Sequence, residues 1–92
     1  MNCNVLVVDD ERSIRWVLEK TISRASATPH IASNCREALE ILESQSIDMV
    51  FVDIHLQQEN GLAFTEEVLK RFPSLLITVM TGKNTMFNTV EA

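Results

Sequence analysis

No run of about 18 apolar residues occurs in this chain, so it offers no candidate membrane-spanning helix. Its first apolar stretch is too short for a signal peptide and is cut off by Asp9-Asp10. Basic charge is scarce as well. Eight Lys and Arg stand against thirteen Asp and Glu, a formal net charge of −5. That balance argues against direct nucleic-acid binding. Cysteine is limited to Cys3 and Cys35, which lack CxxC spacing and fit two reduced thiols of a cytoplasmic protein. Aromatic residues are 5% of the chain, so the core is expected to be aliphatic. No low-complexity stretch, linker or internal boundary is visible. What is present is one small domain of 92 residues, 46% of them hydrophobic, enough for a single core.

Three short apolar runs organise that domain: Val5-Leu6-Val7-Val8, Met49-Val50-Phe51-Val52 and Leu75 to Met80. Each is rich in β-branched residues and lacks period-2 alternation, which predicts strands buried on both faces of a parallel sheet. Each also ends in a polar group: Asp9-Asp10, Asp53 and Thr81. In open α/β sheets ligands bind outside the carboxyl ends of the strands, at the switch point of strand order. If the first and third strands are neighbours there, Asp9, Asp10 and Asp53 meet in one crevice.

The first strand is expected over Cys3 to Val8, followed by a helix from Glu11 to Ala25. Ile14, Leu18, Ile22 and Ala25 form its apolar stripe, with Val17 alongside. Trp16 lies about 200° around the helix from Ile14. It is therefore either a contact residue for a partner or a ring lying on its own helix beside Arg12 or Lys20. Thr28-Pro29 interrupts the pattern, and His30 to Ala32 reads as a short second strand that tolerates Pro29 at its start or on a sheet edge. Ser33-Asn34 offers a cap for a second helix over Cys35 to Ser44. The third strand runs from Ile47 to Asp53 and a loop from Ile54 to Asn60. Gly61 opens a third helix that ends at Arg71, before Pro73. Gly82 and Asn84 suit a turn and a cap for a fourth helix. The order βαβαβαβ(α) predicts an α/β fold with a parallel sheet and right-handed crossovers.

A strand-terminal aspartate on its own is often only a turn former or helix cap. The combination says more. Clustered carboxylates raise one another's pKa unless a cation neutralises them. Oxygen donors at an open site favour Mg²⁺, which takes few protein ligands and keeps waters. Such an ion offsets the charge of an incoming phosphoryl group. Asp53, alone at the end of its strand, is the natural nucleophile for an aspartyl-phosphate, and the Thr81 hydroxyl is placed to donate to that group.

These residues carry a resemblance. Val7-Val8-Asp9-Asp10-Glu11, the Asp53-x-x-Leu56 loop closed by Gly61, and Met80-Thr81-Gly82 resemble the receiver domain of two-component response regulators. Ser13-Ile14-Arg15-Trp16-Val17-Leu18-Glu19 looks like the first helix of the NtrC type of nitrogen regulator. The resemblance implies a doubly wound, flavodoxin-like sheet of strand order 2-1-3-4, with a fifth strand missing. It makes Asp53 the phosphoacceptor and Thr81 the phosphoryl contact and switch. It makes Asp10 a direct Mg²⁺ ligand, Asp9 a ligand through water, and the His55 backbone carbonyl a third protein ligand. Phosphate would come from a sensor histidine kinase docked on the first helix at Ile14, Trp16 and Val17. The domain would be a phosphoacceptor that assists its own chemistry rather than an independent enzyme.

There are departures from the family's pattern. Leu56-Gln57 stands where Met-Pro is usual, and Asn60 where Asp is usual. The lysine that ends strand five in receivers has no counterpart, because Lys83 belongs to the loop after Thr81. Residues 1–92 therefore read as a receiver lacking strand five, helix five and most of helix four. On that reading the output domains, an ATPase acting on σ54 RNA polymerase and a DNA-binding helix-turn-helix, lie outside this chain. An uncovered fourth strand would also recruit a second copy. Two other readings compete: a shortened receiver serving only as an interaction module, and a phosphatase with an aspartate nucleophile. Such phosphatases carry a second Asp two residues after the nucleophile, where this chain has His55.

Overall fold

The computed structural model describes residues 3–56 and 60–80. Within them, β1 (Asn4–Val8), α1 (Arg12–Arg24), β2 (Thr28–Ala32), α2 (Cys35–Ser44), β3 (Met49–Asp53), α3 (Gly61–Arg71) and β4 (Leu76–Met80) follow in order. The four strands form one sheet of order β2-β1-β3-β4, and every neighbouring pair is parallel. The expected fold class is thus found.

Alternation along the strands divides the core in two. Leu6, Val8, Val50 and Val52 point to the face covered by α2 and α3, where they pack with Ala38, Leu42, Phe64 and Val68. Val5 and Val7 point the other way, toward Leu18 and Ile22 of α1 and Met80. Only β1 is buried almost throughout. β3 alternates between buried and half-buried, while β2 and β4 flank the sheet and are mostly half-buried. The expectation of burial on both faces therefore needs correcting for β3 and β4. On the α1 side a single helix covers β1 and β2 and leaves Phe51 and Leu76 partly open to solvent.

The same geometry corrects the apolar stripe of α1. Leu18 and Ile22 are buried, but Ile14, Val17 and Ala25 are exposed, so the helix meets the sheet through one side of its middle and last turns. β2 is longer than expected and includes Pro29, opposite Val5. An edge strand accommodates proline because the N–H it lacks can be one that no neighbour needs.

Local chemistry sets the helix ends. Asn34 Oδ1 accepts from Glu37 N, and Glu37 Oε1 accepts from Ser33 N and Ser33 Oγ, so the start of α2 is closed by reciprocal bonds. Asn60 Oδ1 accepts from Leu62 N and Ala63 N at the start of α3. α1 ends differently. Ser26 has φ 67°, Ser26 N donates to Ser23 O, and Ala27 N donates to Ile22 O, the paired bonds of a left-handed helix stop. At the end of the sheet far from the acids, Asn4 ties three strands together. Its N donates to Asp48 Oδ2, its Nδ2 donates to Ser46 O, and its Oδ1 pairs with His30 Nε2. His30 is thus occupied on the strand surface, as its position in sequence suggested.

Candidate functional site

The site is made by register. Val8 lies opposite Val52, so the residues that follow, Asp9 and Asp53, leave the sheet side by side. β1 stops because Asp9 turns: its Oδ1 accepts from Glu11 N at 2.9 Å, and its N still donates to Ala32 O of β2. β3 stops in a similar way. Asp53 Oδ1 accepts from His55 N at 2.9 Å, and Ile54 N donates to Met80 O of β4. Carboxylate oxygens of Asp9, Asp10 and Asp53 all lie within 4.8 Å of one another.

Their surroundings differ. Asp9 is buried, the one buried charged residue among those described, while Asp10 and Asp53 are half-buried. Burial is the main reason the Asp9 carboxyl is pushed up to about 6 from its ordinary value of 3.8. The Glu11 N–H pulls it back down, and the charges of Asp53, Asp10 and Glu11 push it further up. Three clustered oxygen donors, two of them half-buried, are suited to a small hard cation. Two oxygens bound directly to one Mg²⁺ lie no more than about 4.2 Å apart, given bonds of about 2.1 Å. A cluster no wider than 4.8 Å is close to that span, so these carboxylates could hold one such ion.

The structure also puts His55 where its side chain is exposed and its backbone faces Asp53. Two residues after Asp53, where the phosphatase reading requires a second Asp, the chain has this exposed histidine. Thr81 lies outside the described residues, as do Gln57, Lys83 and the expected fourth helix. Ile14, Trp16 and Val17 are exposed on α1, remote from the sheet. Trp16 is 59% exposed with Lys20 Nζ 5.5 Å from its ring centre, so both expected features, exposure and a cationic neighbour on its own helix, hold together.

Two site residues carried no clear signal in sequence. Arg15 reaches from α1 to the end of β1, its Nη1 donating to Asp9 O at 2.8 Å. Gly61 was legible only as a loop end. A side chain there would collide with the Asp53 carbonyl oxygen and the Ile54 Cα, so α3 begins directly against the backbone that carries Asp53. Gly61 N also donates to Ile54 O. Only glycine permits that approach.

Comparison with known proteins agrees with this geometry. The family model described as response regulator receiver domain matches residues 5–92. The DNA-binding transcriptional regulator NtrC of Escherichia coli K12 is 38% identical over 88 residues, which is 96% of this chain and 19% of that protein. The solved structure of NtrX from Brucella abortus superposes with a TM-score of 0.84 at 32% identity, over 89% of this chain and 19% of that one. Response regulator TrrA from Thermotoga maritima, solved in complex with Mg²⁺-BeF, gives 0.82 at 31% identity over 88% of this chain and 70% of that one. The chain thus spans about a fifth of the length of the NtrC it matches.

Proposed function

This chain belongs to the response regulator receiver domain family, and from that premise we propose that Asp53 accepts a phosphoryl group from a sensor histidine kinase in a Mg²⁺-dependent reaction. Phosphoryl acceptance and an acidic pocket for Mg²⁺ are general to receiver domains. The observation that carries the assignment here is the meeting of Asp9, Asp10 and Asp53 at the carboxyl ends of two adjacent parallel strands.

Asp10 and Asp53 would hold the ion directly, Asp9 through water, with the His55 carbonyl as the fourth protein group. Bound there, Mg²⁺ neutralises phosphoryl charge. The remaining work falls to the chain. The His55 N–H fixes Asp53 through Oδ1, and the carboxylate's other oxygen attacks phosphorus in line with the departing imidazole nitrogen. Gly61 lets α3 begin against the Asp53 backbone, which holds the nucleophile still. Thr81 would contact the bound phosphoryl group. The domain accepts and releases phosphate with its own residues and acts on no separate substrate.

The exposed face of α1, with Ile14, Trp16 and Val17, is the proposed kinase contact. The relatives' names support a transcription regulator as the longer protein in which residues 1–92 serve as receiver, and its proposed place is the cytoplasm. In that protein DNA and σ54 RNA polymerase would be met by output domains and not by this acidic one. Self-association of the 92-residue chain is proposed from exposed Leu76 on flanking strand β4.

Beryllofluoride with Mg²⁺ tests the central assignment, because it mimics an acyl phosphate on a carboxylate. The chain is expected to bind it, and Asp53→Asn to lose that binding together with hydroxylamine-labile labelling by acetyl phosphate. Binding retained by a folded Asp53→Asn variant would refute Asp53 as acceptor. No binding by the folded wild-type chain would favour the alternative, an interaction module.

A further inference from the structure

Arg15 reaches the backbone behind the acidic cluster. From the first turn of α1 its Nη1 donates to the carbonyl oxygen of Asp9 at 2.8 Å, and the side chain is half-buried along the way. That carbonyl belongs to the planar peptide joining Asp9 to Asp10. Asp9 is already fixed on its other side, since its N donates to Ala32 O and its Oδ1 accepts from Glu11 N. The Arg15 bond adds a hold on the carbonyl side of the Asp9-Asp10 peptide. With it, the point from which the Asp10 side chain departs is set.

We propose that Arg15 is a positioning residue for the divalent ion: by holding the Asp9-Asp10 peptide it aims the Asp10 carboxylate at Asp53. This rests on the reading of the cluster as a Mg²⁺ site. Outer partners that orient metal ligands are typically worth about 10- to 100-fold in affinity. Electrostatics alone makes the opposite forecast. A guanidinium near the site repels a cation, so removing the charge and nothing else tightens Mg²⁺ binding. The two roles therefore differ in sign.

Calorimetric Mg²⁺ titration of the 92-residue chain separates them, with each variant checked for folding by circular dichroism. Arg15→Met, which keeps the stem and removes donor and charge, is expected to weaken Mg²⁺ binding about 10-fold. Arg15→Lys, which can still give one N–H to the carbonyl, should recover part of the loss. Arg24→Met serves as control and should match the wild type, because it removes a guanidinium from the exposed far end of α1. Equal or tighter Mg²⁺ binding by folded Arg15→Met overturns the proposal, even if that variant is less stable. Should Arg15→Met not fold, Arg15→Gln, too short to reach the carbonyl, gives the same readings. Wild-type binding that is absent, or that survives Asp10→Ala undiminished, removes the Mg²⁺ site itself and the proposal with it. Wild-type binding lost in Asp10→Ala but kept in Arg15→Met removes only the role of Arg15.

Discussion

Of the three acids, Asp9 is the one that folding works against. In an unfolded chain a carboxyl titrates near 4, whereas in the fold Asp9 keeps its proton up to about 6, chiefly through burial. Between those values the folded state binds more protons than the unfolded state, so stability falls as pH rises through the window and stays low above it. A shift of that size is worth on the order of 2 to 3 kcal/mol. Asp9→Asn keeps an oxygen for the Glu11 N–H and has no charge to bury. Urea unfolding without Mg²⁺ should therefore show the variant gaining on the wild type from pH 5 to pH 7, and Mg²⁺ should narrow the gap at pH 7. A gap that does not change with pH would contradict the burial account. The acids themselves are legible in the sequence, because each closes a run of apolar residues. Arg15 is not, since its partner is a main-chain carbonyl with no side-chain signature. Gly61 reads as a turn, while the backbone it lies against is brought there only by tertiary packing.

Among the elements, α1 departs most from its sequence pattern. A stripe at Ile14, Leu18, Ile22 and Ala25 has the right period, but period does not say how much of a helix its neighbours cover. Here β1 and β2 cover the middle, and the two ends of the stripe stay in solvent. Strand positions are legible to within two residues. β2 is the one strand longer than expected, because Pro29 looks like a barrier until its place at the sheet's flank is known. The C-terminal stop of α1 offers a test. Ser26 takes φ 67° with a full side chain, a conformation that costs an L-residue about 1 to 2 kcal/mol and glycine almost nothing. Both bonds of the stop use main-chain atoms, so glycine preserves them. Ser26→Gly should raise unfolding stability by about 1 kcal/mol. A loss instead would mean that the extra freedom of glycine in the unfolded chain outweighs the relieved strain.

For the whole molecule, strand order follows from the acids as much as from the helices. A sheet that places strands one and three side by side is the arrangement that lets Asp9 and Asp53 meet, and it is the one found. The apolar surface beside Leu76 is the feature that concerns association. Leu76 is 55% exposed on flanking strand β4. Sedimentation of the 92-residue chain over a concentration series should show a dimer or larger species, and Leu76→Glu should shift it toward monomer. A monomer at every concentration would end that proposal. The pairing of β1 with β3 has a kinetic meaning too. It joins Val5 to Met49 and Val8 to Val52, positions far apart along the chain. Contacts of such separation form only after a long loop has closed. Until then the acids are dilute charges on separate segments, and no binding site exists. An ion that recognises only the finished cluster has nothing to hold early in folding, so its effect falls on how fast the native chain comes apart. In a chain of this design a bound Mg²⁺ would lengthen the life of the folded state without hastening its birth.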